Sequence, residues 1–172
     1  MQPTLLLMVG YPGSGKTTAA RLLASLTGAT HLSSDALRLE LFPQPTFTDE
    51  EHAAVYNELN ARTEQLLREG KSVIYDANLN RYIYRAEKYE LATRTNARPV
   101  AIWMEVSRER SRERASIRGH HHLVPKDETF ETMFERVASA IEPPTAEEPV
   151  VRLDGSHVTT NSVQTVLAHI QG

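Results

Sequence analysis

The chain has 172 residues, of which 40% are hydrophobic and 24% are charged, as in a single soluble globular domain with a real core. Its net charge of −3 excludes a global positive field for nucleic acid, although a local basic groove remains compatible with it. The absence of cysteine excludes disulfides and cysteine metal sites and fits a cytoplasmic location. No apolar run approaches the ~20 residues of a membrane helix, so we expect no membrane partner.

The first predicted elements surround a glycine-rich loop. Residues 10–17 fit the pattern G-x-x-x-x-G-K-[ST], the phosphate-binding loop (P-loop) known as Walker A. The apolar run before it, residues 4–9, predicts a buried parallel strand and not a signal peptide. Apolar residues at helical spacing follow over residues 16–27, and Gly28 is expected to end that helix. A strand before the motif and a helix after it form the context in which this loop binds phosphate.

Each residue type in the loop has a physical role. Glycines let successive backbone N–H groups converge on phosphate oxygens, and the helix N-terminus adds positive potential there. Lys16 supplies a mobile charge for the β- and γ-phosphates, and the Thr17 hydroxyl is placed to ligate Mg²⁺. We therefore predict that the phosphates of ATP or another NTP contact Gly10, Pro12, Gly13, Ser14, Gly15, Lys16, Thr17 and Thr18.

An acid and an arginine come next in the chain. A weak second strand over residues 30–34 leads into a helix that opens at Asp35 and runs through Leu41. Asp35 is either the N-cap of this helix or a functional carboxylate at the carboxyl end of a parallel strand, beside the phosphate loop. Arg38 lies one turn further on the same face. In the functional interpretation, Asp35 takes the proton of an attacking hydroxyl and Arg38 grips an anionic group of a second substrate.

A long helix is predicted from Thr48 to Glu69. Thr48 and Glu51 form a capping-box pattern at its start, and Gly70 stops it. The polar face of this helix is either solvated or contributes a wall to an acceptor pocket, through Tyr56, Asn57 and Asn60.

The strand predicted over residues 72–76 resembles a Walker B element because its apolar run ends in Asp76. Such an aspartate orients Mg²⁺, usually through water, so Thr17 and Asp76 are the predicted metal residues. The loop that follows leads into a helix that runs to about Thr95. Its two asparagines, Asn78 and Asn80, either cap that helix or serve the acceptor.

A fourth strand, residues 98–105, precedes an arginine-rich helix over residues 107–118. Arg108 and Arg112 are expected to be solvated and salt-bridged. The opposite row of Arg110, Arg114 and Arg118 leads to Gly119 and a row of histidines, residues 120–122, which indicates a lid that closes on the triphosphate. Three neighbouring loop histidines rarely converge on one ion, so they do not predict a metal site.

The remaining elements complete an alternating pattern. A helix is predicted over residues 127–141, a fifth strand over 149–155 and a last helix over 162–170. Five strands that alternate with helices indicate an α/β fold with a parallel sheet.

Four motifs together make the chain resemble P-loop kinases of the bacteriophage-type polynucleotide 5′-kinase group. It is also similar to the related zeta-toxin and chloramphenicol phosphotransferase kinases. The four motifs are the loop Gly10–Thr18, the Asp-x-x-Arg pair at 35–38, the Asp-x-Asn-Leu-Asn stretch at 76–80, and Arg114 and Arg118 followed by Gly119 and Val124-Pro125.

The resemblance implies one P-loop domain over residues 1–172, a three-layer αβα sandwich with a lid at about 107–128. It also implies that Asp35 is the general base, that Arg38 binds the phosphate beside an acceptor 5′-hydroxyl, and that Asn78 contacts the acceptor. Arg114 and Arg118 would contact the donor phosphates. The predicted activity is ATP-dependent transfer of the γ-phosphoryl group to the 5′-hydroxyl of a polynucleotide. A small-molecule acceptor such as a sugar, nucleotide sugar or antibiotic is the first alternative, and an ATPase or nucleotide switch is the second. The residues indicate neither an oligomeric state nor a choice between ATP and GTP.

Overall fold

The computed structural model describes residues 2–117 and 124–171. Its five strands are β1 (Thr4–Val9), β2 (Thr30–Ser33), β3 (Val73–Asp76), β4 (Arg98–Glu105) and β5 (Val150–Asp154). They form one sheet in the order β2-β3-β1-β4-β5, and every neighbouring pair is parallel. The predicted α/β class with a five-stranded parallel sheet is therefore confirmed.

Within the described residues, seven helices connect and flank these strands. They are α1 (Lys16–Thr27), α2 (Ser34–Leu41), α3 (Asp49–Arg68), α4 (Tyr82–Arg94), α5 (Arg108–Ile117), α6 (Phe130–Ser139) and α7 (Thr160–Gln171). Gly28 ends α1 in the left-handed conformation at φ 73°, as predicted from its position after the last apolar residue. The Thr48 hydroxyl caps α3 by accepting a hydrogen bond from the Glu51 N–H at 3.2 Å.

The sheet is buried on both faces, which explains why β1 is continuously apolar. Alternate residues of β1 point to opposite sides. Leu5, Leu7 and Val9 pack in a cluster with residues of α2, α3 and α4. Leu6 and Met8 pack with residues of α1 and α7. Helices thus cover both faces, in the predicted three-layer arrangement.

The first residues of α2 and α4 show that two of the predicted N-caps are wrong. Ser33, not Asp35, is the N-cap of α2, since its side chain accepts a hydrogen bond from the Ala36 N–H, and Asp35 lies in the first turn. Helix α4 begins only at Tyr82, and no side chain caps it, so neither asparagine of the preceding loop is its N-cap. The helix predicted over 127–141 is shorter because the Thr129 hydroxyl caps it at Phe130.

The strand order places three chemistry-bearing segments together. β1 lies next to β3, and β3 lies next to β2, so the carboxyl ends of these strands meet at one edge of the sheet. The glycine-rich loop follows β1, Asp76 ends β3 and Asp35 comes two residues after β2. In open parallel sheets this edge is where ligands bind. Separately, no helix within the described ranges combines the length and apolar character needed to cross a membrane.

Candidate active site

The glycine-rich loop has the backbone geometry that a phosphate cradle needs. Gly13 and Gly15 have φ values of 80° and 95°, in the left-handed region that side chains other than glycine rarely adopt. The Lys16 ammonium donates hydrogen bonds to the carbonyls of Gly10 and Tyr11, each at 2.8 Å. Burial lowers the pKa of Lys16, while the charges of Asp76 and Asp35 act to raise it. The lysine therefore lies within electrostatic reach of both predicted site carboxylates.

Thr17 and Asp76 are in direct contact. The Thr17 hydroxyl donates to Asp76 Oδ2 at 2.9 Å, and His31 Nε2 lies 3.0 Å from the same oxygen. Asp76 is 5% exposed, so its carboxylate is held by these partners rather than by bulk solvent. The structure thus brings the two predicted metal residues together.

Among the predicted acceptor residues, Tyr56 connects the elements that carry Asp35 and Asn78. The Tyr56 hydroxyl oxygen accepts a hydrogen bond from the Asn78 N–H at 3.3 Å, and the ring of His52 packs against the Tyr56 ring at a centroid distance of 4.5 Å. Burial raises the pKa of Tyr56, and the charge of Asp35 raises it further. Of the other two predicted wall residues, Asn60 instead accepts a hydrogen bond from the Tyr75 hydroxyl at 2.8 Å, and Asn57 is exposed.

Arg38 is buried and engaged within the protein. It is 6% exposed, and it donates to Glu51 Oε1 at 2.5 Å. Its second terminal nitrogen lies 3.3 Å from His52 Nδ1, and its guanidinium lies 5.0 Å from the centre of the Phe47 ring. Asp35 and Arg38 share a helix as expected, but the positive charge of Arg38 is matched by Glu51. The role of Arg38 in gripping an anionic acceptor stays a prediction.

Glu51 completes only half of the predicted capping box. Its second carboxylate oxygen accepts hydrogen bonds from the N–H groups of Thr46 and Phe47, at 2.7 and 3.3 Å, in the loop before the helix. Burial alone would raise the pKa of Glu51, but these bonds and that from Arg38 outweigh it, and the pKa is lowered. Glu51 therefore ties Arg38 to the loop between α2 and α3.

The arginine-rich helix α5 packs directly on the phosphate loop. A Cβ atom at Gly13 would lie 2.2 Å from the Ser111 carbonyl oxygen, and Ser111 and Ala115 are buried. Arg114 donates to the carbonyls of Gly155 and Ser156, at 2.6 and 2.5 Å. These groups line a cavity of about 230 Å³ together with Gly15, Thr18, His157 and Val158.

Two arginines of the predicted outer row of α5 differ in their contacts from Arg114. Arg108 pairs with Glu135 and Arg112 with Glu131, so the salt-bridged interpretation of these two is confirmed. Arg114 faces the cavity beside the phosphate loop instead. Arg118 and the histidines at 120–122 lie outside the described residues, so the predictions about them and about lid closure stay predictions. Among the described residues, no group of three or more His, Cys, Asp or Glu side chains could hold a metal ion.

A buried ion pair supports the loop that carries Asn78. Arg85 donates to the carbonyl oxygens of Leu79 and Asn80, at 3.0 and 3.3 Å, and forms two hydrogen bonds with Glu148, at 2.7 and 2.9 Å. The two charged side chains are only 1% and 3% exposed. The loop after the predicted Walker B strand is therefore joined through Arg85 to a buried ion pair.

Sequence reasoning missed three of these residues: His31, Glu51 as the partner of Arg38, and Arg85. A lone histidine in a weak strand and an arginine within a helix carry no motif of their own. A signal for His31 does exist in the sheet register. Ser33 pairs with Asp76, and His31 lies two residues earlier, on the same face of the sheet.

Solved structures share this fold over nearly the whole chain. A candidate kinase from Chloroflexus aurantiacus J-10-fl is 26% identical, with a TM-score of 0.74 and coverage of 99% of this chain and 97% of that one. Kti12 of Chaetomium thermophilum, solved with ADP-AlF3, is 20% identical, with a TM-score of 0.76 and 97% coverage of each chain. The APS kinase CysC of Mycobacterium tuberculosis, solved with AMPPNP and APS, is 17% identical, with a TM-score of 0.69 and 99% coverage of each.

No curated protein matches the sequence at the significance required of these comparisons. The family model described as AAA domain matches residues 5–144, which include the phosphate loop, the Asp35–Arg38 pair, Asp76 and α5. The chain shares its P-loop fold with kinases. Because the family match covers most of its length, the chain belongs to the AAA domain family.

Proposed function

We propose that this protein is a Mg²⁺-dependent kinase that transfers the γ-phosphoryl group of ATP or another NTP to a hydroxyl group. The observation that carries the proposal is the position of Lys16. Its ammonium donates hydrogen bonds to carbonyls of the phosphate loop, and the charges of Asp76, on the proposed metal side, and Asp35, on the proposed acceptor side, act to raise its pKa against the effect of burial. The proposed donor site, metal site and base would thus adjoin one another, as in-line phosphoryl transfer requires.

On the donor side, the loop amides and Lys16 would hold the triphosphate. Lys16 must exchange its bonds to the Gly10 and Tyr11 carbonyls for bonds to phosphate oxygens. Arg114 lines the cavity that opens beside Gly15 and Thr18, and we propose that it and Arg118 neutralise charge on the donor phosphates. The nucleotide complexes of Kti12 and of the APS kinase support NTP binding on this fold.

The residues on the metal side fit Mg²⁺. Mg²⁺ prefers oxygen ligands, and Thr17 and Asp76 present a hydroxyl and a carboxylate 2.9 Å apart. Because the Thr17 hydroxyl proton already points at Asp76, the lone pairs of its oxygen stay available to a cation. When bound, Mg²⁺ would offset charge on the β- and γ-phosphates.

On the acceptor side, Asp35 would take the proton of the attacking hydroxyl. That oxygen then bonds to the γ-phosphorus, the bond from the γ-phosphorus to the β,γ-bridging oxygen breaks, and the NDP leaves with the electron pair. Tyr56 and Asn78, which are joined by a hydrogen bond, would orient the acceptor beside Asp35. Positioning and charge stabilisation carry such reactions, so the loss of one contact should lower the rate by roughly 10²–10³.

Two observations bear on the identity of the acceptor, and they favour different compounds. The Asp76-x-Asn78-Leu79-Asn80 stretch supports a polynucleotide 5′-hydroxyl, with Arg38 on the adjoining phosphate. The buried ion pair between Arg38 and Glu51 favours the second candidate, a small hydroxyl compound. A guanidinium that is already matched by a carboxylate gains less from a second anion, because the pair would first have to separate.

A transfer assay with matched acceptors tests both levels of the proposal. The protein is incubated with γ-labelled ATP and Mg²⁺, and with a 5′-hydroxyl oligonucleotide, a nucleoside, a panel of sugars or no acceptor. Label on the oligonucleotide alone supports the polynucleotide kinase, and label on a neutral small molecule supports the second candidate. NTP hydrolysis that ignores every acceptor would refute the kinase and favour a nucleotide switch.

A further inference from the structure

The carboxylate of Asp76 receives two hydrogen bonds on the same oxygen, from two different elements. Thr17 of α1 donates to Oδ2 at 2.9 Å, and His31 of β2 lies 3.0 Å from it through Nε2. An ionised carboxylate only accepts hydrogen bonds, so the His31 nitrogen that faces it carries the proton. The ring is largely buried, at 18% side-chain exposure, and Asp76 is nearly inaccessible.

The position of His31 follows from the sheet. β2 is the edge strand beside β3, and its register pairs His31 with Ile74 and Ser33 with Asp76. Ile74 packs in the cluster that includes α1, so His31 lies on the side of the sheet that carries Thr17. The imidazole thus approaches the carboxylate of the neighbouring strand from the open edge, while Thr17 approaches it from the phosphate loop.

We propose that His31 is a positioning residue that holds Asp76 in the orientation required by the Mg²⁺–nucleotide complex. The torsion that orients an aspartate carboxylate is broad, so a single donor leaves it freedom to turn. Thr17 alone holds the carboxylate from one side only, that of the phosphate loop. His31 adds a second hydrogen bond from β2, so the carboxylate is held from two directions while the Thr17 oxygen offers its lone pairs to the cation. This inference rests on the proposed metal role of Thr17 and Asp76.

The test measures nucleotide binding and needs no acceptor. A fluorescent, non-hydrolysable ATP analogue is titrated against wild type, His31→Leu, His31→Phe and His31→Gln, without Mg²⁺ and at increasing Mg²⁺. His169→Gln is the matched control, since His169 is exposed on α7 and bonds only a backbone carbonyl of its own helix. Partners that orient metal ligands typically affect metal affinity by about 10–100-fold.

We expect the Mg²⁺ concentration at half-maximal enhancement of binding to rise about 10-fold or more in His31→Leu and His31→Phe. The Mg²⁺-free affinity should stay within about twofold of wild type, and His31→Gln, which keeps an N–H donor, should recover most of the loss. A structural role alone would weaken Mg²⁺-free binding as well. His31→Phe fills the volume of the ring, so it supplies the measurement if His31→Leu does not fold.

Besides weakened Mg²⁺-free binding, two results with the His31 variants would overturn the inference. One is an unchanged Mg²⁺ requirement in folded His31→Leu or His31→Phe. The other is an equal loss in His31→Gln and His31→Leu. A different result would refute the proposed kinase activity: Mg²⁺-dependent nucleotide binding without transfer to any acceptor. That result would not contradict the proposed role of His31. Wild-type binding that ignores Mg²⁺ would refute both.

Discussion

Removal of Glu148 should destabilise the protein more than removal of any exposed ion-pair partner. Glu148 accepts two hydrogen bonds from Arg85, one from the Tyr89 hydroxyl at 2.7 Å and one from the Thr145 N–H at 3.0 Å. The Arg85 side chain is 1% exposed in the wild type, and Glu148→Ala removes its carboxylate partner. Breaking such a buried pair costs about 3–5 kcal/mol, which lowers the folding equilibrium constant by roughly 10²–10⁴-fold.

The assay is urea unfolding followed by the fluorescence of Trp103, the single tryptophan, which lies in β4. Arg62→Ala is the matched control, since Arg62 also bonds two carboxylates, those of Glu40 and Glu58, but at a solvated surface. We expect only a small loss there. A Glu148→Ala loss under about 1 kcal/mol, or one no larger than that of Arg62→Ala, would refute the assignment of Glu148 as a buried support.

Three further predictions test the loop, the lysine and the acid response. Gly13→Ala should abolish nucleotide binding, because the new Cβ would lie 2.2 Å from the Ser111 carbonyl oxygen. Gly28 has a similar φ but no atom near its Cβ position, so Gly28→Ala should lower the free energy of unfolding by only the ~1 kcal/mol of a strained backbone. Equal effects of the two substitutions on the nucleotide-binding isotherm and on the melting curve would contradict this prediction. Lys16→Met should lower kcat/KM by about 10²-fold or more in the transfer assay, and an unchanged value would exclude Lys16 from the donor site. Burial would raise the pKa of Glu148, but its hydrogen bonds outweigh this effect and lower the pKa in the folded state. The contribution of Glu148 to the free energy of unfolding is therefore present above the unfolded-state pKa of about 4.3, and it is lost as the pH falls through the lower folded-state pKa. Acid unfolding should therefore be less steep in Glu148→Gln, and an unchanged slope below pH ~4 would argue against this linkage.

The parts of the site that were predictable are those encoded by neighbours in the chain. The loop from Gly10 to Thr17 carries its own backbone and charge requirements, and the apolar runs on either side of it define β1 and α1. Asp76 was predictable because an apolar strand that ends in aspartate is itself a local pattern. The cap of α2 was not predicted correctly: the sequence indicated Asp35, whereas the Ser33 hydroxyl accepts the hydrogen bond from the Ala36 N–H.

The parts that were missed depend on contacts between distant residues. Arg38 and Glu51 are 13 residues apart, His31 and Asp76 are 45 apart, and Arg85 and Glu148 are 63 apart. The sequence presents Arg38 as a cation on a helix and Glu51 as a capping residue. Only the fold shows that each satisfies the other in a buried pair. Periodicity reports which face of a helix is apolar, but it does not report which charge crosses from one element to another.

The most direct test of the central claim is γ-phosphoryl transfer by wild type, Asp35→Asn and Asp49→Asn, with and without an accepted hydroxyl compound. Asp49 is the matched control, since it also lies in the first turn of a helix, but that of α3. We predict transfer that depends on the acceptor, that falls by roughly 10²–10⁴ in Asp35→Asn with unchanged nucleotide affinity, and that survives in Asp49→Asn. Undiminished transfer by Asp35→Asn, or NTP turnover that requires no acceptor, would contradict the account.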